Sequence, residues 1–136
     1  MTCYILDASI VVGFILGKEG IKSTTISKLL KDSRIGKVKL YSTVFLPFEV
    51  GNALRYSLPN AEIATETLKI FSNLPIELFD LTPSHYEEIM EMSYQTGTTF
   101  YDSAYHFLAK LINGIFLTAD SQYFERAKEL GSIQLI

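Results

Sequence analysis

The sequence predicts an α/β fold three layers deep, with a central parallel sheet between helices. Three observations carry this. Short apolar runs alternate with longer amphipathic stretches along the whole chain, the pattern of consecutive βαβ units. The apolar runs are too short for core helices and read as buried strands. Glycine, proline or a helix-capping residue marks nearly every junction, so the connections are tight.

Each element follows from that pattern. Tyr4–Leu6 is the first strand and ends at Asp7; Ile10–Leu16 is the first helix, stopped by Gly17 and Gly20. Ser23 to about Asp32 is a helix with Ile26, Leu29 and Leu30 on one face. Lys39–Ser42 is the second strand, and Thr43 is placed to cap a helix from about Phe45 to Ser57. Leu58-Pro59-Asn60 separates it from a helix over Ala61–Phe71, whose apolar face suits either the core or a partner subunit. Ile76–Phe79 is the third strand. Thr82-Pro83-Ser84 opens a helix to about Gln95, with Pro83 in the first turn and Gly97 as the stop. Thr98 or Thr99 caps the next helix, which runs to about Asn113, with Gly114 just past its end. Ile115–Leu117 is the fourth strand. It ends at Thr118-Ala119-Asp120, a last helix follows to Leu130, and Ile133–Ile136 adds an edge strand.

With 136 residues, 48% hydrophobic and 20% charged, the chain reads as one globular domain, residues 1–136. No apolar stretch reaches the ~18 residues of a membrane span, and the N-terminus lacks the basic segment of a signal peptide. The single Cys3 has no internal disulfide partner. These features predict a reducing, cytoplasmic setting without membrane contact. A net charge of −3 argues against binding nucleic acid by bulk charge. The charge is uneven, however. Lys18, Lys22, Lys28, Lys31, Arg34, Lys37 and Lys39 cluster against only Glu19 and Asp32, while acids dominate beyond residue 60. Such a stretch could hold a phosphate backbone, or be a solvated helix face.

Four acids stand out. Asp7 and Asp120 each follow a strand, and parallel strands present their carboxyl ends to one ligand crevice. Either acid is equally suited to cap the helix that follows it. Glu49 falls in the apolar stripe of Leu46, Val50, Ala53 and Leu54, where an unpaired carboxylate is expensive. Asn52, three residues on, is placed to hydrogen-bond it. Asp102 lies three residues after Thr99, a capping-box spacing, at a helix start favoured by the dipole for an acid. Carboxylates gathered on one edge repel one another unless a cation binds. Oxygen-only ligands suit Mg²⁺ or Mn²⁺, and such an ion activates water for attack on a phosphodiester. His85 reads as solvent-facing at a helix start, and His106, four residues after Asp102, as a packing residue beside Tyr105 and Phe107 rather than a ligand. Tyr101, Tyr105 and Phe107 read as core or dimer contacts rather than base-stacking surfaces. No Ser/His/Asp or Cys/His set and no glycine-rich phosphate loop is recognisable.

Asp7-Ala8-Ser9 after the first strand, Glu49-Val50-Gly51-Asn52 on a helix, Tyr101-Asp102-Ser103-Ala104-Tyr105 opening a later helix, and Thr118-Ala119-Asp120 after a strand together resemble the PIN domain family. In length and order the chain is similar to VapC-type toxins of prokaryotic toxin–antitoxin pairs. The resemblance implies a PIN-like sandwich and a Mg²⁺- or Mn²⁺-dependent endoribonuclease. It implies an acidic pocket of Asp7, Glu49, Asp102 and Asp120, with Ser9 and Thr118 as hydroxyl supports. It also implies a homodimer held inactive by a small antitoxin, often through an arginine placed in the pocket. Ser121 and Gln122 follow Asp120, where many relatives carry a further acid nearby, a departure that leaves open whether one or two metal ions bind and does not touch the first site. With Asp7 as the central ligand, Ser9 is expected to cap the first helix.

Other classes fit less well. A haloacid-dehalogenase-like phosphatase would want an acid at position 9, where this chain has Ser9, and a receiver domain would want an acidic pair that is absent. A non-catalytic PIN-fold module binding RNA or a protein is the alternative from a different class. Four intact acids argue against it.

Overall fold

The computed structural model describes residues 1–136. The elements run β1 (Thr2–Ile5), α1 (Ala8–Leu16), α2 (Ser23–Arg34), β2 (Val38–Thr43), α3 (Leu46–Ser57), α4 (Ala61–Ser72), β3 (Ile76–Phe79), α5 (Tyr86–Thr96), α6 (Phe100–Leu111), β4 (Ile115–Thr118), α7 (Ser121–Ala127) and β5 (Ile133–Leu135). Single 3-10 turns, Pro83–His85 and Lys128–Leu130, precede α5 and follow α7. The five strands are parallel, in the order β3-β2-β1-β4-β5. Helices flank the sheet as an α/β/α sandwich. No helix is long and apolar enough to cross a membrane.

The order makes β1 the central strand, with Tyr4 opposite Leu40 of β2 on one side and Ile115 of β4 on the other. Pairing continues past the end of β1. The Leu6 N–H donates to the Tyr41 carbonyl at 3.1 Å, and the buried Ser42 hydroxyl donates to the Leu6 carbonyl at 2.7 Å. The backbone leading into Asp7 is therefore anchored to β2 on both polar groups.

The core comprises 24 apolar residues. Helix α6 lies at its centre. Every residue from Ser103 to Ala109 is buried, because the helix packs on β1, β2, β4 and α5. Fully buried aliphatic side chains such as Leu108 each contribute about 1.5–3 kcal/mol. This burial directs the first turn of α6, which carries Asp102, to the sheet edge where β1 and β4 end.

Several junctions differ from the sequence expectation. Asp7, not Ser9, caps α1: its carboxylate accepts the Ile10 N–H at 2.9 Å, while Ser9 donates to Asp7. Thr43 stays within β2, and Phe45 precedes α3 without a side-chain cap. The left-handed residue after α6 is Asn113 (φ 58°) rather than Gly114, a conformation Asn tolerates. Gly114 is instead needed for closeness, since a Cβ there would stand 2.8 Å from the Cys3 carbonyl oxygen. His85 is half-buried rather than solvent-facing. Its Nδ1 accepts the Thr82 N–H at 3.2 Å, and its ring lies 5.4 Å from that of Phe107.

Candidate active site

A cleft of about 640 Å³ opens at the carboxyl ends of the central strands, and Asp7, Glu49, Asp102 and Asp120 all line it. They arrive on four different elements: the end of β1, the first turn of α3, the first turn of α6 and the end of β4. Ser9 and Thr118 line it too. Asn52 is exposed and lies outside the lining; the partner that Glu49 takes is Tyr105.

Each acid is held by one oxygen. Asp7 Oδ1 accepts both the Ile10 N–H and the Ser9 hydroxyl, at 2.9 and 2.8 Å. Glu49 Oε2 accepts the Tyr105 hydroxyl at 3.1 Å. Asp102 Oδ2 accepts the Thr98 hydroxyl at 3.2 Å, while its backbone N–H donates to Thr99 Oγ1 at 3.1 Å. Thr99 thus caps α6, but the Asp102 carboxylate does not close the reciprocal half of a capping box. Asp120 Oδ1 accepts the Tyr123 N–H at 3.0 Å, and the Asp120 N–H donates to Thr118 Oγ1 at 3.1 Å. Asp7 Oδ2, Glu49 Oε1, Asp102 Oδ1 and Asp120 Oδ2 have no hydrogen-bond partner within the chain. The positioning bonds set the orientation, and one oxygen of each pair is left for a ligand.

The electrostatics show crowding. Removal from water pushes the Asp7 carboxyl up to about 6, and repulsion from Asp102 and Glu49 adds to this against the Ile10 and Ser9 hydrogen bonds. Glu49 is also raised, by burial and then by the Asp102 charge, against the Tyr105 hydrogen bond. Burial, the Glu49 charge and its hydrogen bond to Glu49 keep the Tyr105 phenol firmly protonated. The Asp102 charge therefore disfavours the charged forms of both Asp7 and Glu49, and the Glu49 charge adds to this at Asp7. A bound cation would relieve this.

The donor chemistry fits a hard divalent ion, because every free donor is an oxygen. The arrangement is open, with no three His, Cys, Asp or Glu side chains gathered tightly enough to form a ready-made cage. Mg²⁺ keeps several waters and takes one or two carboxylates directly, so an open site suffices for it.

His106 is a core residue and not a cleft residue. It is fully buried; its Nε2 lies 2.8 Å from the Gly131 carbonyl and its Nδ1 2.7 Å from the Tyr123 hydroxyl. A carbonyl can only accept, so Nε2 carries the proton and Nδ1 accepts from Tyr123. Burial lowers the affinity of this ring for a second proton. Its stacking partners are Phe116 and Tyr123, not the Tyr105 and Phe107 neighbours expected from the sequence.

The structure adds residues to the site beyond those the sequence points to. Thr98 and Tyr105 position Asp102 and Glu49, and Lys18 and Glu19 line the cleft from the α1–α2 loop. Tyr105 had no local signal, being 56 residues from Glu49. Thr98 stood beside the Thr99 cap and was legible as a second hydroxyl at the same helix start.

A parallel α/β/α sandwich with acids converging at the ends of its central strands is the PIN architecture. The PIN domain family model matches residues 4–130, and the chain belongs to that family. Within it, the chain is similar to the Mycobacterium tuberculosis protein named Ribonuclease VapC1, at 32% identity over 120 residues, 87% of this chain and 86% of that protein. Two solved structures share the fold. VapBC2 from Rickettsia felis, bound to a DNA fragment from their promoter, has a TM-score of 0.70 at 17% identity, over 99% of this chain and 98% of that one. PAE2754 from Pyrobaculum aerophilum has a TM-score of 0.63 at 22% identity, over 93% and 86% respectively.

Proposed function

We propose that this protein is a divalent-metal-dependent endoribonuclease, the toxin of a VapBC-type toxin–antitoxin pair. The observation that carries the reading is the cleft: four acids from four elements, each fixed by one oxygen with the other left free. The similarity to a protein named Ribonuclease VapC1 supports the substrate class.

Asp7, Glu49, Asp102 and Asp120 would hold Mg²⁺ or Mn²⁺. When bound, the ion supplies charge neutralisation at the phosphate and lowers the pKa of a coordinated water. The chain supplies orientation. Ser9 and the Ile10 N–H fix the rotation of Asp7, Tyr105 holds Glu49 and Thr98 holds Asp102, so that binding needs little reorganisation. Tyr123 and Phe116 form part of the cleft wall and exclude water from one side of it.

The reading extends to partners. A homodimer and a small antitoxin follow from the VapC-type resemblance. Phe48, Tyr56 and Tyr94, at 80%, 78% and 84% exposure, are available as contact residues, and exposed aromatic residues are enriched at interfaces.

The test is RNA cleavage with Mn²⁺ for the wild-type chain and for Asp7→Asn, alongside calorimetric titration of Mn²⁺ without RNA. The reading expects binding and cleavage by the wild type, and cleavage lost in the variant. A wild-type chain that takes up no Mn²⁺ would favour the inert binding module instead.

A further inference from the structure

The cleft has a charge problem that its acids do not solve. Asp7, Glu19, Glu49, Asp102 and Asp120 line it. An RNA strand entering it brings a negative phosphate every nucleotide. One divalent cation offsets charge at the scissile phosphate, and the neighbouring phosphates still face carboxylates. Lys18 is the sole basic residue of the lining. Resting on the ribonuclease reading above, we infer that Lys18 is the anchor for an RNA backbone phosphate beside the scissile one.

Three features support this. Lys18 is uncommitted. The ion pairs of the chain join Lys28 to Asp32, Lys69 to Glu66 and Lys128 to Glu125, so Lys18 has no partner even though Glu19 adjoins it in sequence. Its backbone is fixed while its side chain is free. Gly17 closes α1 in the left-handed conformation, at φ 65°, and the Lys18 N–H donates to the Gly13 carbonyl at 2.8 Å. Ile21 then packs across Gly13 so closely that a Cβ there would stand 2.4 Å from Ile21 Cγ1. The loop is thereby stapled against α1, and Lys18 stays at the cleft.

The third feature is selectivity within the basic stretch. Of its seven basic residues, from Lys18 to Lys39, Lys18 alone reaches the cleft lining. Lys28 is tied to Asp32, and Lys39 lies with Met1, Ser33 and Gly36 around a separate pocket. The basic bias of this stretch therefore bears on the cleft through one residue. A lysine suits the task as a point charge on a flexible stem, which tolerates the varied phosphate positions of a single strand.

Binding is measured in the Asp7→Asn background without metal, by anisotropy of a fluorescein-labelled single-stranded oligoribonucleotide over a range of salt concentrations. Adding Lys18→Gln is expected to weaken binding roughly 3- to 10-fold at low salt and to lessen the slope of log K against log salt by about 0.7, the loss of one phosphate contact on a single strand. Lys18→Arg is expected to keep the slope. In the Asp7-intact enzyme with Mn²⁺, the Lys18→Gln loss should fall mainly on KM. Unchanged affinity and slope in Lys18→Gln would overturn the assignment. So would Mn²⁺ binding several-fold tighter in Lys18→Gln with RNA binding undiminished, because Lys18 would then be a counter-ion for the acids. Failure of the Asp7-intact chain to cut RNA would count against the ribonuclease reading itself, and the salt slopes separate that outcome from a failure of the Lys18 assignment.

Discussion

Asp7 and Asp120 are built by the same local device and end in different physical states. Each follows a parallel strand, β1 or β4, and each caps the next helix by accepting an N–H three residues on. A hydroxyl neighbour serves each, Ser9 for Asp7 and Thr118 for Asp120. Yet Asp7 is half-buried and pushed up to about 6, whereas Asp120 is exposed. The cause is place in the sheet. Asp7 ends the central strand, where Glu49 and Asp102 converge on it. Asp120 ends the next strand along, on the side of β5. The same cap thus faces solvent in one position and is crowded by two other acids in the other. A crowded carboxylate is the one that gains most from a cation.

The largest expected effect separates the two acids by activity. Asp7→Asn should lower RNA cleavage by on the order of 10²–10³-fold or more, as removal of a central electrostatic group does. Asp120→Asn should lower it by about 10–100-fold, the range for weakening a metal site at its margin. Cleavage rates at saturating Mn²⁺ compare them. Equal losses would place both acids at the centre of the site.

Stability should run the other way. Asn can still accept the Ile10 N–H and is a good cap, so Asp7→Asn removes a destabilised charge while keeping the cap. Moving a carboxyl from 3.8 to about 6 corresponds to about 3 kcal/mol, and the openness of the cleft to water reduces this to about 1–2 kcal/mol. Metal-free Asp7→Asn should therefore melt about 3–8 °C higher than wild type at pH 7.5. The pH sign follows from linkage. A carboxyl raised in the native state binds its proton more tightly there than in the unfolded chain. Its favourable contribution is present below about pH 4 and is lost as the pH rises through about 6. Glu49 acts in the same direction. Melting of the metal-free protein between pH 4 and 7 should show this fall, flattened in Asp7→Asn.

Tyr105→Phe tests the bond that crosses from α6 to α3. It leaves the half-buried Glu49 carboxylate without its only donor in the chain. Mn²⁺ affinity should fall about 10-fold and stability by about 1 kcal/mol, read by calorimetry and denaturant unfolding. Unchanged Mn²⁺ affinity would remove Glu49 from the site.

What was legible in the sequence follows the same division. Strands, helices and their stops were readable because they rest on local periodicity and on glycine and proline chemistry. The acids were readable because a carboxylate at a strand end, or in an apolar stripe as for Glu49, is conspicuous in one dimension. The partners were less so. The Asp102–Thr98 bond spans four residues and was open to inspection. The Glu49–Tyr105 and His106–Tyr123 bonds depend on helices meeting in space, and no local pattern announces them. The cap of α1 falls to Asp7 and not Ser9 for a related reason: both are competent caps, and only the rotation of the Asp7 carboxylate, which accepts from Ile10 and Ser9 together, decides between them. Asn113 and Gly114 exchanged expected roles because the approach of Gly114 to Cys3 is set by strand pairing, not by the helix end.

The finest test compares the two hydroxyls that serve the two acids. Ser9 donates to the Asp7 carboxylate itself, whereas Thr118 accepts from the Asp120 backbone N–H. The first bond favours the charged form of its acid; the second does not touch a carboxylate. Ser9→Ala should therefore raise the Asp7 carboxyl further, and a proton will compete more strongly with the metal for it. The acidic limb of the profile of kcat/KM against pH, which reports the free enzyme, should move to higher pH by a fraction of a unit in Ser9→Ala and stay in place in Thr118→Ala. Stability should change by under about 1 kcal/mol in Ser9→Ala, since Ser9 is exposed and the Ile10 N–H still holds Asp7. If both variants shifted the limb equally, the two strand ends would be electrostatically equivalent. The contrast between central and flanking acid would then have to come from Glu49 and Asp102 acting on both.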